Sequence, residues 1–177
     1  QVYTNYTQGT LKQTDDPLNV AIQGKAFFAV GMEDGREVYT RDGSFALDAN
    51  GMLMTKEGNM VLGQNGPIRI GQGDVRIDES GNIYVNDELI DQLRIVEFEN
   101  PETLSKLGDN LLERTEETTE KNIESRIVQG FLEGSNVNVI REMVDMITAT
   151  RIYEANQKAI QTHDETLGKA VNDVGRV

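Results

Sequence analysis

The amino-acid sequence predicts a mainly β fold with a long carboxy-terminal α-helix, that is, a small antiparallel β sandwich or open barrel followed by a projecting helix. The first observation is glycine usage: 11 of the 17 glycines fall between Gly24 and Gly81, and only two lie beyond Gly134. The second is that from Asn138 to Val174 no proline interrupts the chain and apolar residues recur at helical spacing. The architecture is therefore expected to change along the chain.

Asp-Gly and Asn-Gly pairs separate short β-favouring runs in the glycine-rich part, as at 34–35, 42–43 and 50–51. Such pairs readily adopt the positive φ angles of tight hairpin turns, so they predict reversals between antiparallel strands. No helical pattern lies between the runs, which argues against parallel βαβ units. We predict strands over residues 26–30, 37–41, 44–47, 52–55, 60–62, 68–70, 75–77, 83–85, 92–98 and 123–132.

The segment between the last two predicted strands, residues 99–122, lacks the strand pattern. After Pro101, Leu104 and Leu107 are three residues apart, which favours a short helix. Residues 113–122 contain no apolar side chain and are expected to form a solvated loop. The resulting domain organisation is an extended connector over 1–18, an antiparallel β domain over 19–134 and an assembly helix over 135–177.

The predicted helix carries an apolar stripe. Asn138 can cap its amino terminus, and Glu142 in the first turn favours the helix dipole. Positions seven apart give one wholly apolar set: Val139, Met146, Tyr153, Ile160, Leu167 and Val174. A companion set is apolar only at its ends: Met143, Thr150, Gln157, Asp164 and Val171.

A helix of this length would extend about 55 Å, longer than a small domain is wide. No second helix of similar length is predicted, so the stripe requires another segment or another copy of the chain. The sequence begins at Gln1 in mid-pattern and without Met, which favours a fragment or processed form lacking an amino-terminal partner helix. The alternative is that the helix folds back over the β domain as ordinary core.

Composition narrows the function classes. The formal net charge is −13, with 17 Lys and Arg against 30 Asp and Glu, which disfavours binding to nucleic acid. The absence of Cys excludes disulfides, thiolate metal sites and thiol nucleophiles. No apolar run approaches the roughly 18 residues of a membrane span, so no membrane insertion is expected.

No residue pattern indicates catalysis, a metal site, a cofactor or a small-molecule substrate. The single histidine, His163, has no further ligands or triad partners at suitable spacing, so it is expected at a surface or interface. Acidic pairs are numerous, and two facing carboxylates could serve a carbohydrate-active enzyme on a β scaffold. Besides an assembly subunit and a carbohydrate-active enzyme, a third class of function is a secreted adhesion or scaffold module.

Two stretches carry a family resemblance. One is residues 6–28 (YTQGTLKQTDDPLNVAIQGKAFF) with 39–45 (YTRDGSF), and the other runs from Gln129 through the SNVN entry at 135–138 and the Arg151, Tyr153, Glu154 and Gln161 pattern. They resemble the rod subunits of the bacterial flagellar basal body, which are related to the hook protein. Ala26 departs from the family, which usually has Gly before the two Phe.

The resemblance implies a structural subunit, not an enzyme, that polymerises into a hollow drive shaft transmitting torque and passing exported proteins. It places the subunit in the periplasm-spanning rod after export through the flagellar channel, with other copies and other rod and hook subunits as partners and no cofactor. The compact β region and the tail after Gly168 are more similar to the proximal-rod type; distal-rod or hook-type subunits are the alternative. The implied helix assembly interface is Val139, Met143, Met146, Tyr153, Ile160, Leu167 and Val171.

Overall fold

The computed structural model describes residues 6–137 and 139–174, with side chains described as far as Lys169. It divides into two compact units, Gln1–Asn136 and Val137–Val177. The first unit is built of β-strands and the second is one α-helix. The predicted class, mainly β with a carboxy-terminal helix, is confirmed, and the sheets stay open and do not close into a barrel.

The first unit consists of short strands linked by tight turns. They are β1 (Leu11–Gln13), β2 (Val20–Gln23), β3 (Phe27–Gly31), β4 (Glu37–Thr40), β5 (Phe45–Leu47), β6 (Leu53–Thr55), β7 (Met60–Gly63), β8 (Gly66–Pro67), β9 (Val75–Ile77), β10 (Asn82–Val85), β11 (Glu88–Gln92), β12 (Ile95–Phe98), β13 (Ser105–Gly108), β14 (Leu111–Glu113), β15 (Glu120–Lys121), β16 (Arg126–Gln129) and β17 (Phe131–Glu133).

Every strand pairing is antiparallel. The largest sheet has the order β13-β14-β4-β3-β7-β6-β5, with β12 also paired to β3 and to β15 and with β8 paired to β7. A three-stranded sheet has the order β11-β10-β9. Two ribbons, β16-β2 and β1-β17, join the start of the chain to the end of the β unit.

Strand β3 lies at the centre of the core. Phe28 and Val30 point into one buried cluster, whereas Phe27 and Ala29 point into a second. Successive side chains on a strand face opposite sides of the sheet, so β3 is covered on both faces. This double burial explains why its sequence is an unbroken apolar run instead of an alternating one.

The segment after Pro101 corrects the sequence prediction. A single 3₁₀ turn, Pro101–Thr103, replaces the expected helix, and Leu107 lies in strand β13. The expected loop over 113–122 contains strand β15, which pairs with β12, and a buried Thr118. Pairing with distant strands supplies here the burial that the local sequence does not indicate.

Other strand boundaries differ for similar reasons. Residues 68–70 form no strand. The backbone N–H of Ile68 donates a hydrogen bond to β7, its carbonyl oxygen accepts one from β6, and only Arg69 makes a bridge. The predicted strand 92–98 divides into the end of β11 and β12. Strands β1 and β2 were missed, since their partners β17 and β16 lie more than 100 residues away in the sequence.

The helix, α1, spans Val139–Val174 and confirms the predicted element. Glu142 lies in its first turn, as expected. The proposed cap, Asn138, falls outside the described residues. Within the described part of the chain, no helix combines the length and apolarity needed to cross a membrane.

Candidate assembly surfaces

A partly buried ion pair fixes the β1-β17 ribbon to the rest of the β unit. The Arg41 Nη2 atom lies 2.7 Å from Glu133 Oε2, and Arg41 also donates hydrogen bonds to the carbonyl oxygens of Gly24 and Ala26. The other carboxylate oxygen of Glu133 accepts the Gly9 backbone N–H at 2.8 Å. One guanidinium therefore ties together three chain segments, a role that its planar fork of donors suits.

The residues after Arg41 explain most of the 39–45 motif. Asp42 accepts hydrogen bonds from the backbone N–H and the hydroxyl of Ser44, which closes a tight turn. A Cβ at Gly43 would overlap the carbonyl oxygen of Val20, so the close approach of strands admits only glycine there. In this chain the motif therefore serves folding, and its acid is engaged in a turn.

A groove of about 780 Å³ opens beside this network. It is lined by five apolar, three basic and three acidic side chains, together with small polar residues. Of the apolar ones, Tyr6 and Leu132 are partly exposed and the other three are buried. The apolar side chains are Tyr6, Phe27, Leu111, Leu112 and Leu132, and the charged ones are Arg41, Asp42, Lys56, Lys106, Asp109 and Glu133.

The predicted helix interface is exposed wherever its side chains are described. The exposed fractions run from 55% for Leu167 to 69% for Met146 and Tyr153, with Val139, Met143 and Ile160 between them. The side chain of Val171 lies outside the described residues. Ile140, Val144 and Ile147, also exposed, widen the apolar surface near the start of α1. That these residues contact other helices stays a prediction.

The stripe on α1 winds slowly around the helix. Its members recur every seven residues, whereas an ideal α-helix drifts about 20° per heptad. From Val139 to Leu167 the stripe thus moves about 80° around the axis. One straight partner could not follow it, so the pattern suits either supercoiling or a succession of partners along the helix.

Threonines on α1 satisfy their own hydroxyl groups. Thr148, Thr150, Thr162 and Thr166 each donate a hydrogen bond to the carbonyl oxygen four residues earlier, at 2.7–2.9 Å. A threonine bonded in this way carries no unsatisfied donor into an apolar contact. Thr150, in the mixed companion set, is therefore compatible with burial against a partner.

The arrangement of the titratable groups in the described part of the chain bears on possible metal or catalytic sites. Within the described residues, no three His, Asp or Glu side chains come together as metal ligands. His163 is exposed on α1, in agreement with its predicted place at a surface or interface. In the groove, Glu133 is engaged by Arg41 and Gly9, and Asp42 by Ser44.

Sequence reasoning missed two surface features. The groove is built from segments far apart in the chain, so no local pattern marks it. The exposed tip of the β10-β11 hairpin, residues 86–90, was also missed. The Asn86-Asp87 pair between two apolar runs could have indicated that turn, since both residues tolerate positive φ.

Comparison with known proteins places both units in one family. Residues 21–85 match the model of the flagellar hook protein FlgE/F/G D1 domain. Residues 128–173 match the model of the carboxy-terminal region of the flagellar basal body rod FlgEFG proteins. The two matches cover the largest sheet's first strands and nearly all of α1.

Curated relatives extend the match over almost the whole chain. It is 39% identical over 176 residues to flagellar basal-body rod protein FlgG of Buchnera aphidicola subsp. Acyrthosiphon pisum, covering 93% of this chain and 68% of the relative. It is 39% identical over 181 residues to FlgG of Borreliella burgdorferi, covering 94% and 68%. It is 32% identical over 180 residues to basal-body rod protein FlgF of Mesorhizobium japonicum, covering 99% and 74%. The chain belongs to the flagellar basal-body rod protein family.

Proposed function

We propose that the chain is a structural subunit of the flagellar basal-body rod that polymerises with other axial subunits into a hollow, torque-transmitting shaft. The observation that carries this proposal is the 36-residue helix whose apolar stripe is exposed, in a chain that belongs to the rod family. Fully burying one such side chain contributes about 1.5–3 kcal/mol, so six or seven give a large driving force for association.

The proposed helix assembly interface is Val139, Met143, Met146, Tyr153, Ile160, Leu167 and Val171. Its partners are helices of the same and neighbouring subunits, packed around the export channel. The winding of the stripe supports several partners along α1 in preference to one. Polymerisation in this form would place the subunit in the part of the basal body that crosses the periplasm.

Two positions within the rod are candidates. The compact β region and the tail after Gly168 favour the proximal rod. The higher identity to relatives named FlgG than to those named FlgF favours the distal rod. Expression of the full-length protein in strains lacking either the proximal or the distal subunit decides between them, because only the matching strain should regain motility.

We propose that the subunit acts without catalysis. The alternative, a carbohydrate-active enzyme, requires two available carboxylates facing across a cleft. Two of the three groove acids, Asp42 and Glu133, are held in structural hydrogen bonds, which supports a structural function. Peptidoglycan hydrolysis that is abolished by Asp42→Asn or Glu133→Gln in a folded variant would support the enzyme instead.

The interface proposal is tested with paired substitutions on α1. Ile160→Asp and Leu167→Asp introduce charge into the stripe and should prevent both incorporation into rods and rescue of motility in a rod-deficient strain. Thr162→Asp, about 160° away from Ile160 around the helix, is the matched control and should still assemble. Normal rod formation by both stripe variants would refute the interface.

A further inference from the structure

The β10-β11 hairpin ends in an exposed tip at the edge of its sheet. Asn86 and Asp87 form a two-residue turn with φ angles of 52° and 68°, the geometry of a type I′ hairpin. Strand β11 is an edge strand, and residues 86–90 are all exposed. The tip therefore presents both side chains and unpaired strand edge to its surroundings.

The tip combines apolar and acidic groups. Leu89 and Ile90 are 56% and 41% exposed, although adjacent residues on a strand normally face opposite sides. An irregularity in the β10-β11 register, where Ile90 has no opposite residue, accounts for this. Asp87 and Glu88 precede them and make no ion pair with any described residue. Folded proteins usually cover or blunt an edge of this kind.

The groove beside the Arg41–Glu133 pair has the complementary properties. Its partly exposed apolar side chains are Tyr6 and Leu132, and its exposed Lys56 and Lys106 have no ion-pair partner among the described residues. Residues 1–136 contain 12 basic and 24 acidic side chains, so most of this unit repels an acidic hairpin. The groove, which is lined by three charges of each sign, is an exception.

We propose that the hairpin tip, residues 86–90, docks in the groove of a second copy of the chain. Leu89 and Ile90 then cover Tyr6 and Leu132, while Asp87 and Glu88 pair with Lys56 and Lys106. The contact joins two different patches, and such heterologous contacts build open helical polymers. The inference rests on the proposed rod function and names one lateral contact between its β units.

Cysteine cross-linking tests the contact, because the chain contains no Cys of its own. Leu89→Cys marks the hairpin and Leu132→Cys marks the groove wall; Lys56→Cys is a second groove position on the exposed rim. In rods of the full-length protein treated with a short bis-maleimide, the double variant should give a ladder of multimers. A mixture of the two single variants should give dimers only, and each single variant alone should give none.

Three outcomes overturn the contact. No ladder with either groove position shows that the hairpin lies elsewhere. Dimers from Leu89→Cys alone indicate symmetric pairing of two β11 edges. Protection of both groove cysteines from maleimide in the monomer indicates that another segment of the same chain fills the groove.

Charge reversal gives an independent test. Asp87→Lys with Glu88→Lys should lower incorporation into rods at least about tenfold, because like charges meet at the rim. Lys56→Glu with Lys106→Glu in the same chain should restore it, and absence of rescue argues against the pairing. The full-length wild-type protein separates the two proposals: its failure to enter rods refutes the rod function, whereas rods without the cross-link refute only this contact.

Discussion

Single residues hold the β unit together through buried polar networks. Arg41 is the clearest case: its side chain is only 17% exposed, and it bonds to Glu133 and to the backbone carbonyls of Gly24 and Ala26. Glu97 is another: its carboxylate accepts from Lys121, from the Glu124 backbone N–H and from the Ser125 hydroxyl. Both residues connect segments that are remote in the sequence.

Arg41→Lys keeps the charge but loses the planar fork that bonds Glu133 and two carbonyls together. We expect the free energy of unfolding to fall by about 1–3 kcal/mol, as for the loss of partly buried hydrogen bonds to a charged group. Chemical denaturation followed by circular dichroism measures it. The control is Arg36→Lys: Arg36 pairs with Asp34 and Glu113 at the surface, so this change should alter stability by less than about 1 kcal/mol. Equal effects of both substitutions would contradict this role of Arg41.

The interactions of Glu97 indicate that the fold loses stability in acid. Burial alone would raise the pKa of this carboxyl, but hydrogen bonds from Lys121, Glu124 and Ser125 hold the pKa below its usual value. A carboxyl whose pKa is lower in the folded state stabilises the fold above its unfolded pKa, and the contribution is lost as pH falls through the folded pKa.

The free energy of unfolding should therefore decrease as pH falls below about 4.5, the carboxyl's ordinary pKa. Glu97→Gln should flatten this dependence and lower stability at pH 7. Glu116→Gln removes an exposed acid and serves as the control. Unfolding curves from pH 7 to pH 3 that have the same slope for both variants would show that Glu97 is not responsible.

At the scale of elements, the sequence predicted what depends on local pattern. The Asp-Gly and Asn-Gly turns and helix α1 follow from short-range chemistry: Asp48, for instance, accepts the backbone N–H groups of Asn50 and Met52 to close its turn. Strands β14 and β15 could not be predicted from local pattern, because β14 pairs with β4, far earlier in the chain, and β15 pairs with β12 across the intervening segment. The groove, built from such remote segments, was missed for the same reason.

A substitution at Leu112 tests whether the segment predicted to form a helix and a loop belongs to the core. It is 7% exposed in β14, whereas Leu107 in β13 is 41% exposed. Leu112→Ala should lower the free energy of unfolding by about 2–5 kcal/mol, the cost of a buried leucine cavity. Leu107→Ala, the control, should cost well under half of that value. If Leu112→Ala unfolds at the same denaturant concentration as the wild type, β14 does not contribute to the core.

For the whole molecule, the two units have different sources of stability. The β unit contains two hydrophobic clusters, whose buried members all lie between Val20 and Ile127. Helix α1 has no buried side chain among those that are described. A helix without packing is only marginally stable in water, so α1 is expected to gain its stability in the assembled rod. The sequence indicated this dependence through the stripe, because helical periodicity is local, but it could not identify the partners.

Backbone hydrogen exchange along Val139–Val174 tests this account most directly, measured for the dilute subunit and for the same subunit in assembled rods. In the dilute subunit, we predict fast exchange through most of α1 and slow exchange in the β unit. In assembled rods, we predict strong protection of α1. Slow exchange throughout α1 in a dilute monomer would contradict the account, because it would mean that the helix is stable without assembly.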